Sequence, residues 1–307
     1  VKIDGFKYNE DAEYDFKLSM GTATQLWLHS VSVVAVDKRE AAYPMFVKSG
    51  YQSSDKAVIT GNVLDYGAVG DGKTDDTVAF MTAVDAMADI GGTLYIPKGT
   101  YLLTQSFEFP RGLSLLGDFN TPTADNKKVE GTILALDPLP SSEGNDKATI
   151  GMHSGTNMNG FTVWYPSQTL QNGKVIEYPY AIQNIHNGAS VVENINLVNV
   201  YNGIDHGSVT NQNQSMLNIY GTPLHKGGFI SDANEIGRNE AINFSPEYWL
   251  NSGLKNVPDQ KTLKNYLKEY AIGFHIGNVD WHFLSNINIS GYNIGVKISN
   301  FFGRVYD

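Results

Sequence analysis

The sequence predicts an all-β solenoid, a parallel β-helix of stacked coils that opens on a capping helix. Three observations predict it. The chain of 307 residues is rich in Gly (31) and Asn and only 18% charged, a balance suited to tight turns, which need positive φ values. Between Val63 and Thr100 a strand, a glycine turn, a helix and a second strand follow one another. Further on, a unit of alternating strand, polar turn and short strand recurs at spacings of roughly 20 to 30 residues, as one coil per repeat requires.

In the first segment, Val63–Tyr66 reads as a strand and Gly67–Gly72 as a glycine-rich turn. Thr74 is the expected N-cap, with Asp75 and Asp76 in the first helical turn, where the dipole favours negative charge. Phe80, Val84 and Met87 fall on one helical face. Gly91-Gly92 stops the helix, and Thr93–Pro97 resumes as a strand before Lys98-Gly99-Thr100-Tyr101 turns into the next.

The run VLDYGAVGDGKTDDTVAFMTAVDAMADIGGTLYIPKGTYLL resembles the entry segment of the pectate-lyase-like superfamily. Glycoside hydrolases, polysaccharide lyases and phage tailspike depolymerases begin in this way. The resemblance implies a right-handed parallel β-helix and leaves the reaction open, since one fold hosts many chemistries.

Coil-like units appear at Val192–Leu197 with Tyr201–Ile204, and at Leu284–Ile289 with Tyr292–Val296. Met216–Tyr220 with Gly227–Ile230 is a looser copy, and Asn157–Val163 has the same character. An insertion near 244–275 carries Leu263, Tyr266, Leu267 and Tyr270 at helical spacing. Residues 1–60 show no clear period and read as an extension packed on the solenoid, with strands at Leu26–Leu28 and Val31–Val36. Residues 61–307 form the β-helix. No cap is evident after Phe301-Phe302-Gly303. A further C-terminal segment, a second chain or a homo-oligomer is therefore expected to cover the open end, because an uncapped coil exposes apolar surface and unpaired backbone.

With no cysteine, disulfides and thiolate metal sites are excluded. A net charge of −10 and no basic cluster argue against nucleic acid and, more mildly, against a strongly acidic substrate such as polygalacturonate. No apolar run reaches membrane-spanning length. The chain opens on Val1 without a signal-peptide pattern.

Asp71, Asp75 and Asp76 could hold Ca²⁺, but their placement reads as turn and helix-terminus chemistry. Asp205 and His206, in Gly203–Gly207, stand where a coil can project side chains into a groove, as acid/base and substrate-binding candidates. This run resembles the Gly-His-Gly element of polygalacturonases, whose paired-Asp and Arg-Ile-Lys motifs are absent. Asp232, Glu235 and Glu240 supply the carboxylates a glycosidase needs on two sides of a scissile bond, and Arg238 would orient substrate. Asp280 beside His282 is a further acid/base pair. Tyr248, Trp249 and Trp281 are candidate sugar-stacking rings, with anchoring of the inserted helix as the alternative. The blocks YGTPL, EIGRNE, FSPEYW and DWHF, within Asn199–His282, resemble a group of bacterial pectate-lyase-like proteins. Together these readings predict a secreted or cell-surface polysaccharide-degrading enzyme. A glycoside hydrolase without cofactor comes first, and a polysaccharide lyase, with Ca²⁺ possible, second. The third reading is a non-catalytic glycan-binding or phage/cell-surface structural β-helix.

Overall fold

The computed structural model describes residues 59–138, 140 and 147–299. The expected strands at Leu26–Leu28 and Val31–Val36, the N-terminal extension and the turn at Phe301 lie outside the described residues.

The described chain winds into a parallel β-helix. Every pairing between its strands is parallel, as stacked coils require. Sheet 1 has 11 strands and sheet 2 has seven, and a two-stranded sheet closes part of the third side. Consecutive coils keep register: Val191, Ser215, Arg238 and Phe283 stack in one column. Asn202, Lys226, Ile272 and Ile294 stack in another. Side chains alternate in and out along each strand. One inward column of sheet 1 is therefore Phe161, Ile195, Ile219, Ile242 and Ile287, the first four fully buried. Stacking like on like makes each coil the floor of the next, which is why a single coil cannot stand alone.

The predicted helix forms as α1, Thr77–Met87, and buries Phe80, Ala83, Val84 and Met87. Phe80 packs against Tyr101 and Phe107, at 5.5 and 6.4 Å between ring centres, so the helix covers the first coils. Its start differs from expectation. Asp71–Asp75 is a short strand and Asp76 is the N-cap position. The Asp76 carboxylate accepts from the Val69 and Gly70 amides at 2.7 and 3.1 Å. Asp71 accepts from the Lys73 and Thr74 amides, and Asp75 from Thr77 and Thr104. The glycine loop's own orphan amides thus hold Asp76 and Asp71, and the helix begins one step later than Thr74 would allow.

The expected insertion is present between the strands Gly237–Phe244 and Ile272–Ile276. It carries a short helix α2, Glu247–Leu250, and a longer α3, Gln260–Tyr270, capped by the Asp259 carboxylate on the Thr262 amide at 3.0 Å. Leu263, Tyr266 and Leu267 are buried; Tyr270 is exposed. Their core is separate from the solenoid interior and contains Trp249, Leu224, Val198 and Trp164. The last described coil leaves Leu284, Val296 and Ile298 exposed. No helix among the described residues is long and apolar enough to cross a membrane.

Each long strand of sheet 1 bends at one left-handed residue. Register aligns these residues as Gly160, Asn194, Asn218, Ala241 and Asn286. Asn tolerates this region and Ala does not. The Asn218 amide also donates to Asn194 Oδ1 at 3.2 Å and the Asn194 amide to Asn159 Oδ1 at 2.9 Å. Ala241, at φ 56°, interrupts the ladder. Ala241→Asn is expected to stabilise the fold by about 1 kcal/mol, by relieving backbone strain and extending the ladder, as a rise in denaturation midpoint would show. An unchanged or lower midpoint would refute that account.

Candidate functional site

The residues singled out from sequence do not converge on one site. Asp205 points outward from sheet 2 but is 0% exposed. Its Oδ1 accepts from the Gly207 and Ser208 amides at 2.7 and 2.9 Å, and its Oδ2 from Gln183 at 2.7 Å and from the Ser208 hydroxyl. All its acceptor positions are used, so it is the keystone of a turn. His206 points inward. Its Nδ1 bonds Gln214 Oε1 at 2.8 Å, and Gln214 Nε2 bonds His282 Nε2 at 2.6 Å. Burial holds both histidines below their usual range. This chain lies inside the solenoid, so neither His206 nor His282 is a substrate-binding group in the structure.

Trp249 is 0% exposed and anchors the insertion's core. Tyr248 is also buried, 5.9 Å from the Tyr220 ring and 5.0 Å from the Lys127 ammonium. Both correct the sugar-stacking expectation: a Trp followed by a helix of buried leucines serves packing. Trp281 is 73% exposed. Asp232 and Glu235 sit at left-handed turn positions. Arg238 lies over the Phe283 ring at 5.4 Å. Glu240 stands on the outer face of sheet 1, two coils from Glu193 and in register with it. Asp280 is exposed at the turn into the last coil, where its carbonyl accepts from His282 Nδ1 at 3.3 Å.

A denser constellation lies where the chain crosses from sheet 1 into sheet 2, and none of its residues was singled out from sequence as a site. Tyr201-Asn202 and His225-Lys226 enter sheet 2 on successive coils. Register continues through these crossings, since the Leu224 and His225 amides donate to Val200 and Tyr201 carbonyls at 2.8 and 2.9 Å. The His225 imidazole stacks on the Tyr201 ring, 4.8 Å between centres and 15° between planes. Its Nδ1 is 2.8 Å from Asn202 Oδ1. Burial, and secondarily the Lys226 charge, lower the His225 pKa, while Glu177 opposes the shift. His225 is therefore neutral at pH 7.

The Lys226 ammonium lies 4.9 Å from the Phe229 ring and 6.0 Å from the Tyr180 ring. Burial lowers its pKa, Asp205 opposes, and Lys297 adds to the lowering. One coil on, His275 is pushed down to about 4 by burial and by Lys226 and Lys297, and its Nε2 lies 2.7 Å from the Ser299 hydroxyl. A chain of net charge −10 thus gathers two lysines and two histidines on the outer face of sheet 2. The sequence-level expectation of no basic cluster is corrected here: Lys226 and Lys297 are far apart in sequence and are brought together by coil stacking. The signal that could have found the site is the alignment of Tyr201-Asn202 with His225-Lys226 once coils are set in register.

A match to the family described as "Rhamnogalacturonase A/epimerase, pectate lyase-like" spans residues 60–297. The chain is similar to a probable rhamnogalacturonase C of Aspergillus niger, 29% identical over 156 residues, covering 50% of this chain and 32% of that protein. It is similar to an exopolygalacturonase of Arabidopsis thaliana, 26% identical over 184 residues, covering 58% and 40%. Among solved structures it resembles the A-module of the Azotobacter vinelandii mannuronan C-5 epimerase AlgE6, at 15% identity and a TM-score of 0.26, covering 74% of this chain and 68% of that one. The chain spans well under half the length of these two curated relatives. With its parallel β-helix and the matched span together, the chain belongs to the rhamnogalacturonase A/epimerase, pectate lyase-like family.

Proposed function

We propose that this chain is an extracellular enzyme that cleaves an acidic, uronate-containing polysaccharide by β-elimination at the entrance to sheet 2. The observation that carries the reading is a neutral histidine, His225, set beside Lys226 on an outer face that also holds Lys297. A carboxylated sugar is drawn to such a face in an otherwise acidic protein. Lysines next to the sugar carboxylate stabilise the charge that develops when the adjacent C–H is ionised. His225 takes the proton from C5, the electron pair forms the C4–C5 double bond, and the C4–O bond breaks. The leaving oxygen is protonated by water. The Tyr180, Tyr201 and Phe229 rings flank this face and offer surfaces for sugar C–H groups.

Hydrolysis needs two carboxylates with free oxygens facing the substrate. Near His225, Asp205 has none to spare, which leaves Glu177. The hydrolase reading retains support in the names of the two curated relatives, a rhamnogalacturonase and an exopolygalacturonase. Digestion of polygalacturonate, alginate and a neutral glucan, followed by mass analysis and near-ultraviolet absorbance, tests the choice. The expected result is unsaturated uronate ends from an acidic polymer and no product from the glucan. Saturated reducing ends would establish hydrolysis instead, and binding without any product would make the chain a glycan-binding module.

A further inference from the structure

We infer that Asn202 is the positioning residue that fixes His225 in the tautomer a base requires, with the Tyr178 carbonyl as the third member of the relay. This deepens the reading of His225 as the base and rests on it. The Asn202 side chain faces two groups at once. Its Nδ2 donates to the Tyr178 carbonyl at 3.3 Å, and its Oδ1 stands 2.8 Å from His225 Nδ1. A carbonyl can only accept, so it decides which end of the amide turns toward it. With Nδ2 committed to Tyr178, Oδ1 is left for the imidazole, and Oδ1 can only accept. His225 Nδ1 therefore carries the hydrogen, and Nε2 presents a lone pair. No hydrogen bond to Nε2 is found among the described residues, which leaves it available to take a proton.

The relay is anchored at its far end. Tyr178 is buried and its ring packs 4.5 Å from that of Tyr165. The Tyr165 hydroxyl is in turn 3.0 Å from Thr149 Oγ1. Pro179 follows Tyr178 and restricts the backbone on that side. The carbonyl that orients Asn202 is thus held by the solenoid core. The imidazole plane is fixed independently by stacking on Tyr201. Two of the three requirements for a general base are then geometric, a set tautomer and a set plane. The third is neutrality. The titratable groups acting on His225 are Lys226 on its own strand and Glu177 on the preceding coil, and Tyr201 lies against its ring.

Two variants separate positioning from packing. Asn202→Leu keeps the volume and removes both hydrogen bonds. Asn202→Asp keeps an acceptor at the imidazole and makes it anionic. Nitrogen-15 NMR of the ring-labelled protein reads the tautomer without any substrate. The wild type is expected to show hydrogen on Nδ1 and a bare Nε2, and Asn202→Leu to lose that preference. On an acidic polymer, Asn202→Leu is expected to lower kcat roughly 10²–10⁴-fold with little change in KM, the range for removing or misorienting a catalytic base. Asn202→Asp is expected to retain more turnover and to move the acid limb of the pH–rate profile upward. A wild type with hydrogen on Nε2, or an Asn202→Leu protein with unchanged tautomer and pH profile, would overturn the inference. If no polysaccharide is turned over, the NMR result still decides the relay, while the base role itself fails.

Discussion

Replacing His225 by Gln is expected to reduce turnover of an acidic polysaccharide by roughly 10²–10⁴-fold, the contribution of one positioned base. Gln is close in size and polar, and His225 is only partly buried, so the thermal midpoint should stay near that of the wild type. The wild-type profile carries its own sign. The His225 pKa lies below its usual range because burial and Lys226 disfavour the imidazolium. The base is therefore competent down to pH values under about 6.5, the ordinary histidine pKa, and kcat/KM should fall only below that. Lys226→Met is expected to act differently. It removes the carboxylate-facing charge and leaves the base, so KM for an acidic polymer should rise while the low-pH limb moves upward, because a cation that disfavoured the imidazolium is gone. Full activity in His225→Gln would remove this histidine from the mechanism altogether.

The second large effect concerns stability. Glu193 stands on the outer face of sheet 1 and is 1% exposed, and its Oε1 has no hydrogen-bond partner. Burial raises its pKa to about 7, against a smaller opposing effect of the Asn194 side chain. Unfolded, the carboxyl would titrate near the model-peptide value of about 4.3. Below pH 4 both states are protonated and the residue costs nothing in charge. As pH rises toward 7 the unfolded chain releases a proton that the folded chain still holds, so stability falls across that window. Above pH 7 the loss levels off at about 3 kcal/mol, from 1.36 kcal/mol per unit. Glu193→Gln is expected to stabilise the protein by about 2–3 kcal/mol at pH 8 and by close to nothing at pH 4. Urea titrations of both proteins at pH 4, 6 and 8 would show it. Equal differences at all three values would mean that Glu193 is not held protonated.

The solenoid was legible because its signals are local and repeated. Alternation in Val192–Leu197, the face of Phe80, Val84 and Met87, and the spacing of Leu263 and Tyr266 each report burial through periodicity, and each residue is buried as its pattern required. The start of α1 was misplaced because glycine-loop amides compete for the same carboxylates as a helix end. The site was misread for a different reason. Asp205 and Trp249 carry chemistry by residue type, but type does not reveal that four donors already surround one and a leucine core the other. Nor can a linear scan see Lys226 and Lys297 as neighbours. Their proximity exists only after coils are stacked, and the 244–275 insertion hides the period between them.

The in-register columns of sheet 2 also bear on how such a protein can be altered. Tyr201-Asn202, His225-Lys226 and the Glu177–Tyr180 stretch come from three successive coils, each offering its side chains at the same crossing point. Along sheet 1 the in-register residues Val191, Ser215, Arg238 and Phe283 are separated by 24, 23 and 45 residues, so crossings absorb length changes that strands cannot. Within a strand, adding one residue would turn its buried side chains outward; between strands, even a helical insertion leaves the columns intact. The site is therefore written in a frame with fixed words and elastic spaces, and its specificity can be rewritten one coil at a time.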